Sequence, residues 1–416
     1  MGTVLSPDDI VIADAARSIL GSDNGSLKDF GAVDLAAGVV EQLLEKVERR
    51  SPRFSRKDID CFACGLGVGA GIGQNLPRQI THKVGLDEIK AAFVLNEMCG
   101  SGMGAILAGA QSLKLGEAEL VLAGGVEAPA AAPWLISRQQ LIDWKDLKVG
   151  DIQEKLLRSD LHDALWDKIS DVHTIWHAEN TTARWVKGKG LDPEVFKRKI
   201  DDYAKLSHDR ALAAAAAGEF QEELAPLPGA AKNDELPAKK NIELMYKRKG
   251  TIYTPQGEFL SNHNSPPLAN GACFLLLMTR RKADALGLEP LSTIKAYARS
   301  GVKPEDFLLA PLAAVRELLK KTQTAIGDYD LVESNSAFGS QMLINQAELG
   351  LDMDKVNVRG DCIALGHPIG AAGARITTTL LHSLKQKKKR QGLALICLGG
   401  GNGIALAVEN ESEKFS

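Results

Sequence analysis

The stretch Gly366-His367-Pro368-Ile369-Gly370, continuing through Ala371-Ala372-Gly373-Ala374, sets a histidine between glycines at the end of an apolar run. About thirty residues on, Cys397-Leu398-Gly399-Gly400-Gly401-Asn402-Gly403 ends another apolar run with a cysteine. Far upstream, Cys99-Gly100-Ser101-Gly102-Met103-Gly104 does the same. Three reactive residues on three glycine-rich turns are expected to meet in one site.

Patterning around these turns predicts an α/β chain. Strands are expected at Asp9 to Ala13, Ile59 to Gly65, Ala91 to Leu95 and Glu119 to Ala123, the last ending in Gly124-Gly125. Helices are expected from Leu35 to Val47 and from Gly104 to Leu115. The order recurs after residue 285. Ala16-Arg17-Ser18 is echoed by Ala298-Arg299-Ser300, and Ile59-Asp60 by Tyr329-Asp330. Gly104-Ala105 is echoed by Gly373-Ala374, Ser112-Leu113-Lys114 by Ser383-Leu384-Lys385, and Gly124-Gly125 by Gly399-Gly400. A near-constant offset implies two β-α-β-α-β halves related by a pseudo-twofold axis, with helices between and around two sheets in an αβαβα layering. The Cys99 and His367 turns then occupy corresponding places, each at a helix N-terminus that offers N–H groups and a positive dipole end.

The expected division is 1–126 for the first half, 127–265 for an inserted loop subdomain and 266–416 for the second half. The insertion holds all five tryptophans, Trp134, Trp144, Trp166, Trp176 and Trp185, most of them read as core aromatics, and a helix from Pro193 to Ala217. Lying over the junction of the halves, it is the place for substrate recognition.

Composition narrows the function. A net charge of −3 speaks against a nucleic-acid binder, which needs a clustered basic excess. Six cysteines at 61, 64, 99, 273, 362 and 397 are too sparse for a secreted disulfide framework and are read as free thiols. Cys61 and Cys64 lack a second Cys or His pair, so no metal is expected. No apolar run is long enough to span a membrane, and the N-terminus has no secretory pattern, which together predict a cytoplasmic protein. The myristoylation-like Met1-Gly2 and the C-terminal Lys414-Phe415-Ser416 are discounted as addresses. Covalent catalysis through a thiol fits best. A cysteine at a helix N-terminus has a depressed pKa, a histidine can take its proton, and flanking glycines let a substrate reach backbone N–H donors.

The sequence resembles the thiolases through nearly its whole length. The resemblance is carried by Ala15-Ala16-Arg17, Gln74-Asn75-Leu76-Pro77-Arg78-Gln79, Cys99-Gly100-Ser101-Gly102, Gly124-Gly125-Val126-Glu127, Ala178-Glu179-Asn180 and the strings from Gly366 to Arg375 and Cys397 to Gly403. It implies the thiolase fold and an acyltransferase that cleaves a 3-oxoacyl-CoA into two acyl-CoA products, with coenzyme A as co-substrate and no bound cofactor. Cys99 would take the acyl group. His367 would hold its proton and point at the thioester oxygen of the second substrate, and Cys397 would be the acid/base at the substrate α-carbon. Asn335 would position a water in one oxyanion hole, and the N–H groups of Cys99 and Gly399 would form the other. His173, Trp176, Ser265 and Phe338 are the implied substrate and CoA contacts.

Departures from the family pattern include Ser336 in Asn335-Ser336-Ala337-Phe338, His173-Thr174, Asn264-Ser265-Pro266-Pro267, and the absence of an Arg-Pro-x-Phe string before Gly250-Thr251. They suggest a bulky, aromatic or dicarboxylic acyl group of the benzoylsuccinyl-CoA kind, or a small zinc-binding or OB-fold companion subunit sharing the CoA. A condensing enzyme of the same fold and a non-catalytic acyl-CoA-binding scaffold are the alternatives. The expected assembly is a homodimer or tetramer.

Overall fold

Ile10–Arg17 is buried at all eight positions, as befits a strand covered on both faces. The computed structural model describes residues 6–86, 88–135, 157–158, 164–238 and 258–411. Trp144, Gly250-Thr251 and the two chain ends singled out above lie outside them.

In the first half β1 (Ile10–Arg17), α1 (Ala32–Arg50), β2 (Cys61–Gly65), α2 (Leu76–Lys83), β3 (Ala91–Leu95), α3 (Ser101–Leu115) and β4 (Leu120–Glu127) follow in order. The inserted region contributes the short strands β5 (Trp134–Leu135), β6 (Leu157–Arg158), β7 (Trp166–Asp167) and β8 (Val172–His173), then α4 (Thr174–Gly188) and α5 (Pro193–Ala216). Next come β9 (Gly271–Thr279) and α6 (Arg280–Leu286). The second half holds β10 (Ser292–Gly301), α7 (Ala310–Thr322), β11 (Leu331–Asn335), α8 (Gly339–Leu349), α9 (Ala372–Gln386), β12 (Gln391–Leu398) and β13 (Asn402–Asn410).

The strand order β11-β12-β13-β10-β1-β9-β4-β2-β3 reads alike outward from its centre. From β1 run β9, β4, β2 and β3; from β10 run β13, β12 and β11. The counterpart of β3 is reduced to one parallel bridge, Val332 to Val356. Where two separate sheets were expected, the halves join into one nine-stranded sheet through two residue pairs, Val11–Thr293 and Ile12–Ser292. Strand β9, which completes the first half's sheet by pairing with β1 and β4, follows the inserted region in the chain.

Three apolar clusters give the layers. One packs α1 and α2 on the outer face of the first sheet half, and another packs α7 on the outer face of the second. The middle cluster holds α3 and α9 between the halves. Helix α3 is buried at ten of its fifteen positions, the mark of a core helix. Its contact with α9 is symmetric. A Cβ on Gly102 would lie 3.1 Å from the Ala374 methyl, and one on Gly373 would lie 2.6 Å from the Met103 Cβ. The two helices need bare backbone where they cross.

Some local readings change. Strand β4 runs through Gly124-Gly125 instead of ending there, because Gly125 is where the backbone of Gly370 packs against the sheet, 2.1 Å from a would-be Cβ. Gly399-Gly400 is not its counterpart: it lies beyond β12, in the turn to β13. Cys362 begins a single helical turn, Cys362–Leu365. Trp185 packs beside Phe196 with ring centroids 5.4 Å apart, whereas Trp134 and Trp166 are exposed. Cys61 and Cys64 face different core clusters on opposite sides of the sheet, so they share no ligand or disulfide. Among the described residues no His, Cys, Asp or Glu group is arranged to hold a metal ion, and no helix is long and apolar enough to cross a membrane.

Candidate active site

Cys99 sits in a 3-10 turn, Met98–Gly100, that runs directly into α3. Met98 is in the left-handed region, with φ of 50°. The bend is fastened by Ser101, whose hydroxyl donates to the Met98 carbonyl at 2.6 Å and accepts the Glu97 N–H at 2.9 Å. This raises the thiol off the strand end toward a cavity.

His367 reaches the same cavity from the second half. Its N–H donates to Pro267 O at 2.8 Å and its carbonyl accepts from Ala269 N at 3.2 Å, so the backbone of 267–269 holds it from both sides. The buried carboxylate of Glu127 accepts N–H groups of Gly67 at 3.0 Å, Val68 at 3.2 Å and Gly370 at 2.8 Å. One side chain thus binds the loop after β2 to the His367 turn. The outcome is a 3.0 Å contact between His367 Nε2 and Cys99 Sγ.

Cys397, at the end of β12, lines the same cavity, and its thiol contacts Gln341 Oε1 at 3.6 Å. That oxygen also accepts the Ala337 N–H at 2.7 Å. The cavity, about 200 Å3, is lined by Cys99, His367, Cys397 and Gly399 at its reactive end, with Leu165, Ile175, Leu268, Phe307 and Phe338 among its apolar walls. His173 and Ser265 line it too. Trp176 does not; it packs against the cluster that contains Cys397. Asn335 is fully buried at the end of β11, and neither amide atom has a hydrogen-bond partner among the described residues.

The electrostatics differ from the thiolate expected of a helix N-terminus. Burial, with the neighbouring Cys397 adding to it, pushes the Cys99 thiol well above its ordinary range; the N–H groups of Cys99 and Gly399 pull the other way without overcoming it. Burial and the nearby Arg375 guanidinium lower His367 to about 3, and burial raises Cys397 to about 11. At neutral pH the pair is therefore an uncharged thiol against an uncharged imidazole. Charge develops when an electrophile arrives.

A thiol beside an imidazole, a second thiol in the same cavity and two backbone donors at the first are a constellation for acyl transfer. Comparison with known proteins agrees. Residues 10–281 match the thiolase N-terminal domain and residues 288–410 the thiolase C-terminal domain. The chain belongs to the thiolase family. This thiolase is 35% identical to the acetyl-CoA acetyltransferase of Cupriavidus necator, over 97% of the chain and 100% of the relative, and 37% identical to that of Pseudomonas aeruginosa over the same shares. The fold matches the Acat5 thiolase of Ascaris suum in complex with coenzyme A, with a TM-score of 0.86 and 30% identity across 97% of this chain and 100% of that one. Human mitochondrial 3-ketoacyl-CoA thiolase in complex with CoA matches with a TM-score of 0.85 and 29% identity across 98% and 100%.

Several site residues carry no signal in the sequence. Gln341, Leu268 and Phe307 sit outside any glycine-rich turn. Glu127 lies within a quoted motif, but its bridging role depends on contacts 60 and 243 residues away.

Proposed function

We propose that this thiolase is an acyltransferase that cleaves a 3-oxoacyl-CoA with coenzyme A as co-substrate. The observation that carries the reading is the 3.0 Å Cys99–His367 contact in a cavity shared with Cys397. As Cys99 Sγ attacks the 3-oxo carbonyl, its proton passes to His367 Nε2, and the oxyanion is met by N–H donors. Low local dielectric strengthens those donors, which offsets the cost of ionising a buried pair. The Cα–Cβ bond then breaks, its electrons form the enolate of the departing acetyl-CoA, and the Cys397 thiol protonates the α-carbon. The CoA thiol, giving its proton to the Cys397 thiolate, attacks the acyl-Cys99 thioester; the bond from Cys99 Sγ to the acyl carbon breaks, the departing sulfur takes back the proton held on His367, and the second acyl-CoA leaves. Asn335, with both amide atoms buried and unpartnered among the described residues, is suited to ordering a water for the thioester oxygen.

The apolar lining from Leu165, Ile175, Leu268, Phe307 and Phe338 supports an acyl group bulkier than acetyl. We further take the assembly to be at least a homodimer, because β3 is an edge strand with Val94 41% exposed, a rim suited to pairing. The companion subunit rests on the departures from the family pattern taken together, of which the one before Gly250-Thr251 lies outside the described residues; reconstituting thiolysis with this chain alone tests it. The function itself is tested by following loss of the magnesium-enolate absorbance of acetoacetyl-CoA and of bulkier 3-oxoacyl-CoA thioesters on adding CoA. Turnover is expected, faster with a bulky substrate; no CoA-dependent loss with any of them would overturn the reading.

A further inference from the structure

The walls of the cavity are not equally held. Beside Leu268, Phe307 and Phe338 the chain is fastened by buried polar groups. Asn264 donates to Asp201 and to the Phe259 carbonyl at 2.9 Å each, and its own carbonyl accepts the Gly339 N–H at 2.8 Å. The Glu179 carboxylate accepts the N–H groups of Phe259 at 2.8 Å and Leu260 at 3.0 Å.

The remaining wall, Ala164, Leu165, His173, Thr174 and Ile175, consists of the two shoulders of the β7–β8 hairpin. That hairpin is a poor anchor. Each strand has two residues, paired as Trp166–His173 and Asp167–Val172, and an isolated two-stranded ribbon is marginal in water. Trp166 in its first strand and Ile169 in its turn are 37% and 73% exposed.

Asp167 fixes it. Its carboxylate accepts the N–H of Ile169 at 3.0 Å and of Ser170 at 3.3 Å, which closes the turn, and contacts His177 Nε2 at 2.8 Å, which ties the turn to α4. Both side chains of that pair are largely covered, at 8% and 10% exposure. His177 lies in the first turn of α4, four residues after His173, whose ring caps that helix by accepting the Ile175 N–H at 3.1 Å. A shift of the hairpin against α4 therefore moves His173 and Leu165 in the cavity wall.

We propose that Asp167 and His177 are positioning residues that set acyl specificity: their contact fixes how far the 164–175 wall stands from Cys99, and so which acyl bulk the site accepts. The proposal rests on the reading of this cavity as the acyl site of a thiolase. The test compares wild type, His177→Phe, which keeps the ring bulk without the contact, Asp167→Asn, which is isosteric, and His177→Gln, which can still donate to Asp167. Each is assayed for thiolysis of acetoacetyl-CoA, 3-oxohexanoyl-CoA and 3-oxo-3-phenylpropionyl-CoA, and for alkylation of Cys99 by iodoacetamide.

In His177→Phe and Asp167→Asn, KM for the phenyl substrate is expected to rise about tenfold, the scale of one lost hydrogen bond to a charged group, with kcat within about twofold. Acetoacetyl-CoA turnover and the alkylation rate stay near wild type, and His177→Gln restores most of the lost selectivity. Equal losses on all three substrates would reduce the pair to a structural contact, and unchanged selectivity in Asp167→Asn would overturn the proposal even were the phenylalanine variant not to fold. Absence of thiolysis in the wild type would overturn the functional reading beneath it instead.

Discussion

The same turn is built twice and used differently. Met98–Gly100 runs into the fifteen-residue helix α3, and Ile369–Ala371 runs into the fifteen-residue helix α9, each element 271 residues after its counterpart. On that offset Cys99 corresponds to Gly370 and Asn96 to His367. The first half places its reactive group inside the turn, on a residue partly open to the cavity. The second half can place nothing there. A Cβ on Gly370 would lie 2.6 Å from Leu66 Cα and from Val126 O and 2.7 Å from Gly67 N, all backbone atoms. Its reactive group sits three residues earlier, at His367, while Asn96 spends its side chain on Gly67 O and Met98 N to brace the turn. Symmetry supplies the facing helix ends; the departure from symmetry supplies the chemistry.

If the Cys99 position alone carries the nucleophile, Cys99→Ala should lower kcat for thiolysis by roughly 10⁴-fold or more while leaving the fold intact by circular dichroism. Removing the partner from the other half should cost less. His367→Ala is expected to lose roughly 10²–10⁴-fold, the scale of one acid–base group, and to slow Cys99 alkylation. A wild-type alkylation rate in that variant would break the pairing of the two turns. Cys397→Ala should still acylate at Cys99 but lose exchange of the acetyl-CoA α-protons with deuterium, which separates the roles of the two thiols. Retained exchange would remove Cys397 from the proton transfer.

The asymmetry also has a stability signature. Gly370→Ala should destabilise the protein by about 1–3 kcal/mol in urea unfolding, since the contacted backbone cannot turn aside. A separate effect concerns pH. Folding depresses His367 from 6.5 to about 3, so between those values the unfolded chain binds a proton that the folded chain refuses. Stability from this group is whole above pH 6.5 and is lost as pH falls toward 3. His367→Gln should flatten the acid side of the Tm profile in that window, and an unchanged slope would mean the imidazole is not held neutral.

Much of this was legible because it is local. Glycine-flanked Cys99, His367 and Cys397, the apolar periodicity of α1 and the echo of Gly104-Ala105 in Gly373-Ala374 all lie within short windows, and the folded chain brings the three residues to one cavity. What stayed hidden is non-local. The Gly399-Gly400 echo misleads because short glycine pairs recur for different reasons, in a strand at 124 and in a turn at 399. The joining of the halves through Val11 and Ile12 depends on an edge meeting an edge, which no residue pattern marks. The depressed thiol pKa read from the helix N-terminus is reversed by burial, which a sequence does not quantify. Trp176, placed at the substrate on motif position, points its bulk into the cluster behind Cys397.

The most direct test of a single thiol site assembled from both halves is peptide mass mapping after mixing the enzyme with a 3-oxoacyl-CoA in the absence of free CoA. An acyl adduct on the Cys99 peptide in wild type and in Cys397→Ala, much slower to form in His367→Ala and absent in Cys99→Ala, is the predicted result. Acylation on another residue, or full turnover by Cys99→Ala, would contradict it.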